Sequence, residues 1–400
     1  MEPRVGGLCK GNHMISRIFL LFSSVFALAY MGMHLYVYLK VRRAFGLRWP
    51  WAVLFALFSA AMMAGARMLW LVDFGDAVVL RKVLSYICYL WMAYLLILCT
   101  LFLALDILRL VLAIADRLFS VRAARLLASS RLRVLVALSG AFALCLYGAF
   151  EAQWYRTSRV ELRTALLPAG VEHLRIAHLS DVHLGWLIQE RQLDAMLDAV
   201  RAAEPHMLVI TGDLVDGEME AREAEVELFR SLNLPYGVYA VTGNHEYHAG
   251  IGQALAFFER SGIRVLRNEA LEVGGITLAG VDDRSARRYG GAAAGGEEQL
   301  LASLSPHRFA VLLKHQPTVE PSSVGQFDLQ LSGHTHRGQI WPFYWATRLV
   351  YDYRPGLRTV GAPNQGRTSR VYVSNGTGTW GPPVRFLARP EVVLVDIVRE

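Results

Sequence analysis

Five short clusters hold the side chains of this sequence that could do chemistry. They are Asp181-Val182-His183, Gly212-Asp213, Gly243-Asn244-His245-Glu246, the single His315 in Lys314-His315-Gln316, and Gly333-His334-Thr335-His336. Asp and His two residues apart in extended chain point to the same side and offer one oxygen and one nitrogen donor. The two histidines at 334 and 336 form the strongest single metal signal in the chain. Taken singly, the first, second and fourth clusters read more readily as a turn, a helix cap or a structural histidine. Together all five fit independent caps poorly. Oxygen and nitrogen donors without cysteine suit Mn, Fe, Zn or Mg rather than a thiolate site. Seven or so such donors are too many for one ion, with His245 open as a proton donor or a ligand. They suit two ions about 3.5–4 Å apart that share a bridging carboxylate.

Such side chains converge only if the backbone delivers them to one edge. Short apolar runs predict strands at Leu174–Leu179, Met207–Thr211, Gly237–Thr242, Ile276–Gly280, Phe309–Lys314, Leu329–Ser332, Val371–Ser374 and Val392–Ile397. Helical spacing of apolar residues covers Gln189–Ala203, Arg222–Leu232 and Gly252–Ser261. This alternation predicts an α/β domain. Each cluster closes a strand, and ligand sites collect in the loops at the carboxyl ends of strands. Other segments read more plainly. Glu151–Gly170 is a polar connection, and Asp282-Asp283-Arg284 is a turn that could line a pocket. Arg284, Arg287 and Arg288 border the glycine–alanine run Gly290–Gly296, a flexible loop that reads as a solvated surface or as a cover for an anionic substrate. His173, His178 and His248 have no partner by spacing and read as structural.

The order D-x-H, G-D, G-N-H-E, isolated H and G-H-x-H is similar to that of the calcineurin-like metallophosphoesterases, from Leu174 onward. The run Asn375–Pro383 and the final strand resemble a membrane-associated bacterial branch of that superfamily. The resemblance implies a sandwich of two mixed β-sheets flanked by helices. It implies one metal on Asp181, His183, Asp213 and His336, and a second on Asp213, Asn244, His315 and His334, with Asp213 bridging and manganese favoured. His245 would stand outside the metal shell, facing the substrate phosphoryl group, with Glu246 orienting it. The implied reaction is in-line attack on phosphorus by a hydroxide bridging the metals. Arg337 stands where relatives commonly have glycine, and would either touch a substrate anion or lie on the rim.

The first 153 residues have a different character. A mean hydropathy of +0.31 and 54% apolar residues against 19% charged is too apolar for a purely water-soluble chain. Four stretches approach or reach the roughly 20 apolar residues needed to cross a bilayer. They are residues 14–38, 51–72, 83–105 (with an amphipathic tail) and 134–150, so that 1–153 is a four-helix membrane domain and 154–400 the catalytic domain. All four cysteines, Cys9, Cys88, Cys99 and Cys145, lie in the first part, which excludes a disulfide scaffold. Arg67, Asp106 and Arg109 read as snorkelling or span-end charges. Lysines and arginines in the connections number nine on one side and eight on the other. That balance puts the catalytic domain on the non-cytoplasmic side of a multi-pass membrane protein, in the inner membrane if the source is bacterial.

The sequence therefore predicts a membrane-anchored phosphoesterase that cleaves a phosphodiester or pyrophosphate bond. The short link between the fourth span and the first ligand strand favours a membrane-proximal substrate, a lipid-linked phosphoester among them, with the bilayer as partner. A reading from another class is a transporter or sensor whose soluble domain binds metal or phosphate without turnover. His245, which a pure binder would not need, argues against it. The net charge of +7 also raises a nucleic-acid phosphodiesterase. Its basic residues cluster at membrane flanks rather than in an aromatic-lined groove, so no nucleic acid is expected.

Overall fold

Long apolar runs with few turn residues can satisfy their backbone only within themselves, and they fold as helices. A computed structural model describes residues 8–400 apart from 73, 76, 120–121, 123–124, 126, 218, 290–295 and 362–366. The glycine–alanine loop expected at 290–296 thus lies almost wholly outside the described residues. The chain divides into two compact units, Met1–Cys145 and Leu146–Glu400, where the sequence places the boundary at 153/154.

The first unit is built from α1 (Leu8–Phe45), α2 (Trp49–Leu71), α3 (Val78–Phe119) and most of α4 (Ser130–Glu151). Each helix contains a stretch long and apolar enough to cross a membrane. Pro50, at the start of α2, sets the first turn where its missing N–H costs nothing. Helix α3 continues past Asp106 to Phe119, as the amphipathic tail expected after residue 105 requires. The Asp106 carboxylate pairs with the Lys40 ammonium and accepts a hydrogen bond from the Tyr36 hydroxyl at 2.9 Å, joining α3 to α1.

The second unit contains β1 (Arg156–Thr164), β2 (His173–Leu179), β3 (Leu184–Gly185), α5 (Glu190–Arg201), β4 (Met207–Thr211), β5 (Val215–Asp216) and α6 (Glu223–Arg230). There follow β6 (Val238–Val241), α7 (Asn244–Ala249), α8 (Ile251–Arg260), β7 (Ile263–Val265), β8 (Glu269–Val273) and β9 (Ile276–Gly280). The remainder is α9 (Gly296–Ala302), β10 (Ala310–Leu313), β11 (Leu329–Ser332), α10 (Tyr344–Val350), β12 (Gly356–Thr359), β13 (Arg370–Val373) and β14 (Glu391–Arg399).

These strands form two six-stranded mixed sheets, ordered β1-β14-β2-β4-β6-β7 and β12-β13-β11-β10-β9-β8, with a small β3–β5 pair beside them. β2, β4, β6 and β7 run parallel, as do β9, β10, β11 and β13, while β14 is antiparallel to β2. Alternation of side chains divides the core into layers. In β4, Met207 and Val209 face the other sheet, whereas Leu208 and Ile210 face the helices. β10 does likewise, with Val311 and Leu313 between the sheets and Ala310 and Leu312 on the outer face. Strands covered on both faces read as unbroken apolar runs, which is why they are legible in the sequence. Helix α5 covers the first sheet with Leu193, Met196, Leu197 and Val200, the one-sided spacing of an amphipathic helix. Each such side chain stabilises the fold by about 1.5–3 kcal/mol when fully buried.

The expected polar connection at 151–170 contains β1 instead. Its residues Arg-Thr-Ser-Arg-Val-Glu-Leu-Arg-Thr pair in parallel with β14 from Arg156↔Glu391 to Thr164↔Arg399. β1 is an edge strand, so polar and charged side chains can face outward while the backbone still joins the ladder.

Candidate metal centre

The parallel strands of each sheet bring their carboxyl ends to one edge, and the five clusters sit there. Asp181 and His183 follow β2, Asp213 follows β4, and Asn244 and His245 open α7 just after β6. From the second sheet, His315 follows β10, and His334 and His336 follow β11. Glycine permits the loops to approach this closely. A Cβ on Gly243 would lie 2.2 Å from Asp213 Oδ1, and one on Gly333 would lie 2.2 Å from Asp181 Oδ2. Five of the clustered residues adopt left-handed backbone, with φ of 56° at Asp181, 57° at His183, 52° at Asp213, 69° at His334 and 46° at His336. Each such conformation costs on the order of 1–3 kcal/mol and persists only when the surroundings enforce it, a mark of functional sites.

The donor atoms fall into three overlapping groups: Asp181, His183 and His336; His183, Asp213 and His245; and Asp213, His315 and His334. His183 Nε2 lies 3.0 Å from His336 Nε2 and 3.9 Å from Asp213 Oδ2, and His336 Nε2 lies 3.5 Å from Asp181 Oδ1. On the other side, His315 Nε2 lies 3.1 Å from Asp213 Oδ2, 3.2 Å from Asn244 Oδ1 and 3.0 Å from His334 Nδ1. Donors bound to one ion at about 2.0–2.1 Å and at ordinary angles stand about 3.0–3.4 Å apart, so the residues fit divalent cations. The electrostatics agree. Burial alone would raise the Asp213 carboxyl, but the charges of His315 and His245 hold it well below the usual range. Burial opposes a charged His315, yet Asp213 lifts it well above the ordinary imidazole value. A bound cation would take the place of that proton. Burial and the charge of His315 push His334 down to about 4, which suits a neutral ligand.

His245 belongs to the middle group by distance, its ring buried and 4.6 Å from that of His183. Its backbone N–H donates to Asp213 Oδ1 at 2.8 Å, and its ring Nδ1 lies 3.0 Å from Asp216 Oδ1. Burial would lower its pKa, but the carboxylates of Asp216 and Asp213 raise it to about 9. Asp216 also lies 3.6 Å from His183 Nδ1. Sequence reasoning missed Asp216 as a partner, although the D-L-V-D spacing from Asp213 was its signal. Glu246 does not orient His245. Its carboxylate accepts the backbone N–H groups of Asp213, Leu214, Val215 and Gly243 at 2.6–3.1 Å, which fixes the loop rather than the ring.

Other residues border this cluster. His248 lies beside the site, 5.8 Å from the His245 ring, with the Tyr289 hydroxyl 3.3 Å from its Nδ1. Arg337 is exposed on the rim, 6.0 Å from the Tyr344 ring. Asp282, Asp283 and Arg284 line a cavity of about 470 Å³ together with Lys314 and Glu297. Arg385 had no sequence signal. Its buried guanidinium donates to the carbonyls of Gly378, Asn375 and Ala388 and reaches within 3.3 Å of His336 Nδ1.

Comparison with known proteins places this geometry. Residues 174–338 match the model of the calcineurin-like phosphoesterase family. A metallophosphoesterase of Aquifex aeolicus is 36% identical over 253 residues, covering 63% of this chain and 95% of its own. One from Campylobacter jejuni is 33% identical over 244 residues, with 60% of this chain and 64% of its own covered. A Bos taurus protein named as a transmembrane protein with metallophosphoesterase domain is 34% identical over 256 residues, 60% of this chain and 56% of its own. The chain thus spans nearly all of the first relative and about three-fifths of the other two. With the motif order, the mixed two-sheet sandwich and these identities in agreement, the chain belongs to the calcineurin-like metallophosphoesterases, a family of metal-dependent hydrolases.

Proposed function

We propose that this chain is a membrane-embedded phosphoesterase that holds two divalent cations, manganese favoured, and hydrolyses a phosphodiester or pyrophosphate bond of a membrane-proximal substrate. The observation that carries this reading is Asp213, which lies in two of three overlapping groups of donors, one with His183 and His245 and one with His315 and His334. Asp181, His183, Asp213 and His336 would hold one ion, and Asp213, Asn244, His315 and His334 the other. When bound, the ions supply a lowered water pKa and neutralise charge on the phosphoryl oxygens.

The chain's own residues do the rest. Asp216 holds His245 by Nδ1, which leaves Nε2 to face a substrate. With its pKa raised to about 9, the ring carries its proton at neutral pH and delivers it from Nε2 to the departing oxygen. The alcohol released from a diester departs as an alkoxide unless it receives a proton, so it gains most from such a donor. Buried loops around Asp181 and Asp213 exclude bulk water from the carboxylates. The membrane-proximal part rests on the four apolar helices and on β1 beginning at Arg156, just after α4 ends at Glu151. The lysine and arginine balance supports a non-cytoplasmic position for the second unit.

The test uses the full chain in detergent micelles with Mn²⁺ and both bis-p-nitrophenyl phosphate and the monoester. Diester turnover is expected to exceed monoester turnover and to vanish in Asp213→Ala. Turnover by His245→Ala is expected to fall by about 10²–10⁴-fold on a diester with an alkyl leaving group and far less on bis-p-nitrophenyl phosphate, whose p-nitrophenolate departs without a proton. Turnover that survives Asp213→Ala would overturn the assignment.

A further inference from the structure

Between the loop of His334 and His336 and strand β12, the chain exposes a run that an aqueous surface does not explain. Trp341-Pro342-Phe343-Tyr344-Trp345-Ala346-Thr347-Arg348-Leu349-Val350 includes α10, none of whose residues is buried. Leu349 is 89% exposed, Val350 72%, Trp345 56% and Phe343 55%. Contiguous apolar surface of this kind marks an interaction site.

Its neighbours indicate what covers it. The Trp341 N–H donates to the Phe386 carbonyl at 3.0 Å, and the Phe386 N–H donates to the Gln339 carbonyl at 2.9 Å. The Phe386 ring meets Tyr147 edge-on at 6.3 Å, the Arg385 N–H donates to the Gly148 carbonyl at 3.0 Å, and the Ala388 N–H donates to Glu151 at 3.0 Å. The run is therefore tied to the last turn of α4. That helix has 22 residues. At about 1.5 Å per residue it is about 33 Å long, the thickness of a hydrocarbon core, so its last turn lies at the interface of the bilayer it would cross. Phe150, Trp154 and Leu387, all exposed, extend the apolar surface around that turn. Tryptophan and arginine together suit a headgroup layer. The guanidinium groups of Arg348 and Arg389 lie over the rings of Trp345 and Trp154, at 5.7 and 3.6 Å.

We propose that Trp341–Val350 is an interfacial docking element that lies in the headgroup layer of an anionic phospholipid bilayer and holds the metal centre against lipid headgroup phosphodiesters. The inference rests on the phosphoesterase reading above and names its substrate class. The element is coupled to the centre at both ends. Gly338, two residues after His336, packs so tightly on α10 that a Cβ there would lie 2.3 Å from the Tyr344 nitrogen. Tyr351, the residue after α10, places its ring 5.4 Å from that of His334.

The experiment uses the full chain, with its four cysteines replaced by serine, in vesicles of phosphatidylcholine containing one quarter phosphatidylglycerol. A nitroxide is attached at Leu349→Cys or, as control, at Ala195→Cys on the outer face of α5. The label at 349 is expected to collide preferentially with oxygen and to show a several-fold loss of collision with a water-soluble nickel chelate relative to 195. Equal nickel accessibility at the two positions would overturn the docking. In a second arm, Leu349→Asp with Val350→Asp is expected to keep turnover of bis-p-nitrophenyl phosphate and to lose hydrolysis of vesicle phosphatidylglycerol. Vesicle hydrolysis that is absent in the parent chain or undiminished in the double variant, while the soluble diester is turned over, would overturn the lipid-headgroup assignment. An immersed label with no turnover of either diester would uphold docking and overturn the phosphoesterase reading instead.

Discussion

At the scale of single residues, the proton on His245 is owed to Asp216. Replacing Asp216 by Asn keeps the shape of the side chain and removes the largest favourable charge acting on the ring. A group whose folded pKa is raised keeps its proton below that value and loses it as pH rises through it. If His245 is the acid, diester turnover in the parent chain should decline on the alkaline side as the ring loses its proton. In Asp216→Asn that decline should move down toward the ordinary imidazole value of about 6.5. The pH profile of kcat, with KM little changed, is the measurement; an unmoved profile would show that Asp216 does not set the ring's charge. His245→Gln should abolish the same limb.

Elements hold the site by backbone hydrogen bonds as much as by ligands. Glu246, in the first turn of α7, gathers four N–H groups from the β4–β5 loop and from Gly243. A carboxylate near the start of a helix also meets the favourable end of the helix dipole. Glu246→Gln would set an amide NH₂ against N–H donors and leave at least one of them without an acceptor. A loss of about 1.5–3 kcal/mol is expected, seen as a lower melting temperature of the metal-free protein. Because the same loop carries Asp213, metal affinity should fall with it. Unchanged melting would mean that the loop is held by its own turn geometry. Arg385 plays a comparable part for the Asn375–Ala388 loop, and Arg385→Met should destabilise by a similar mechanism, leaving the carbonyls of Gly378, Asn375 and Ala388 buried and unpaired.

Over the whole molecule, the candidate centre joins the two sheets. Asp181, Asp213 and Asn244 come from strands of the first, and His315, His334 and His336 from strands of the second. Cations bound there connect layers that otherwise meet through apolar side chains. A ligand present at about 100 times its Kd stabilises the folded state by about 2.7 kcal/mol. Chelation by EDTA should therefore lower the melting temperature of the second unit, and re-addition of Mn²⁺ should restore it. Asp213→Ala should melt alike with and without chelator. A parent chain indifferent to EDTA would indicate that the donors bind no ion.

The amino-acid sequence by itself determined the apolar helices, the strands covered on both faces and the loops that carry donor atoms. Those signals are local: a run of apolar residues, a period of two or of 3.6, a histidine beside a glycine. Edge elements escaped it, because β1 and β12 carry polar side chains and are held by pairing with distant partners, β14 and β13. Only the tertiary structure decided that Asp216 rather than Glu246 meets the His245 ring, that Arg385 lies against His336, and that an exposed aromatic helix borders the centre. Those facts depend on which loops face one another across two sheets, a relation between residues far apart in the chain that no spacing along it encodes.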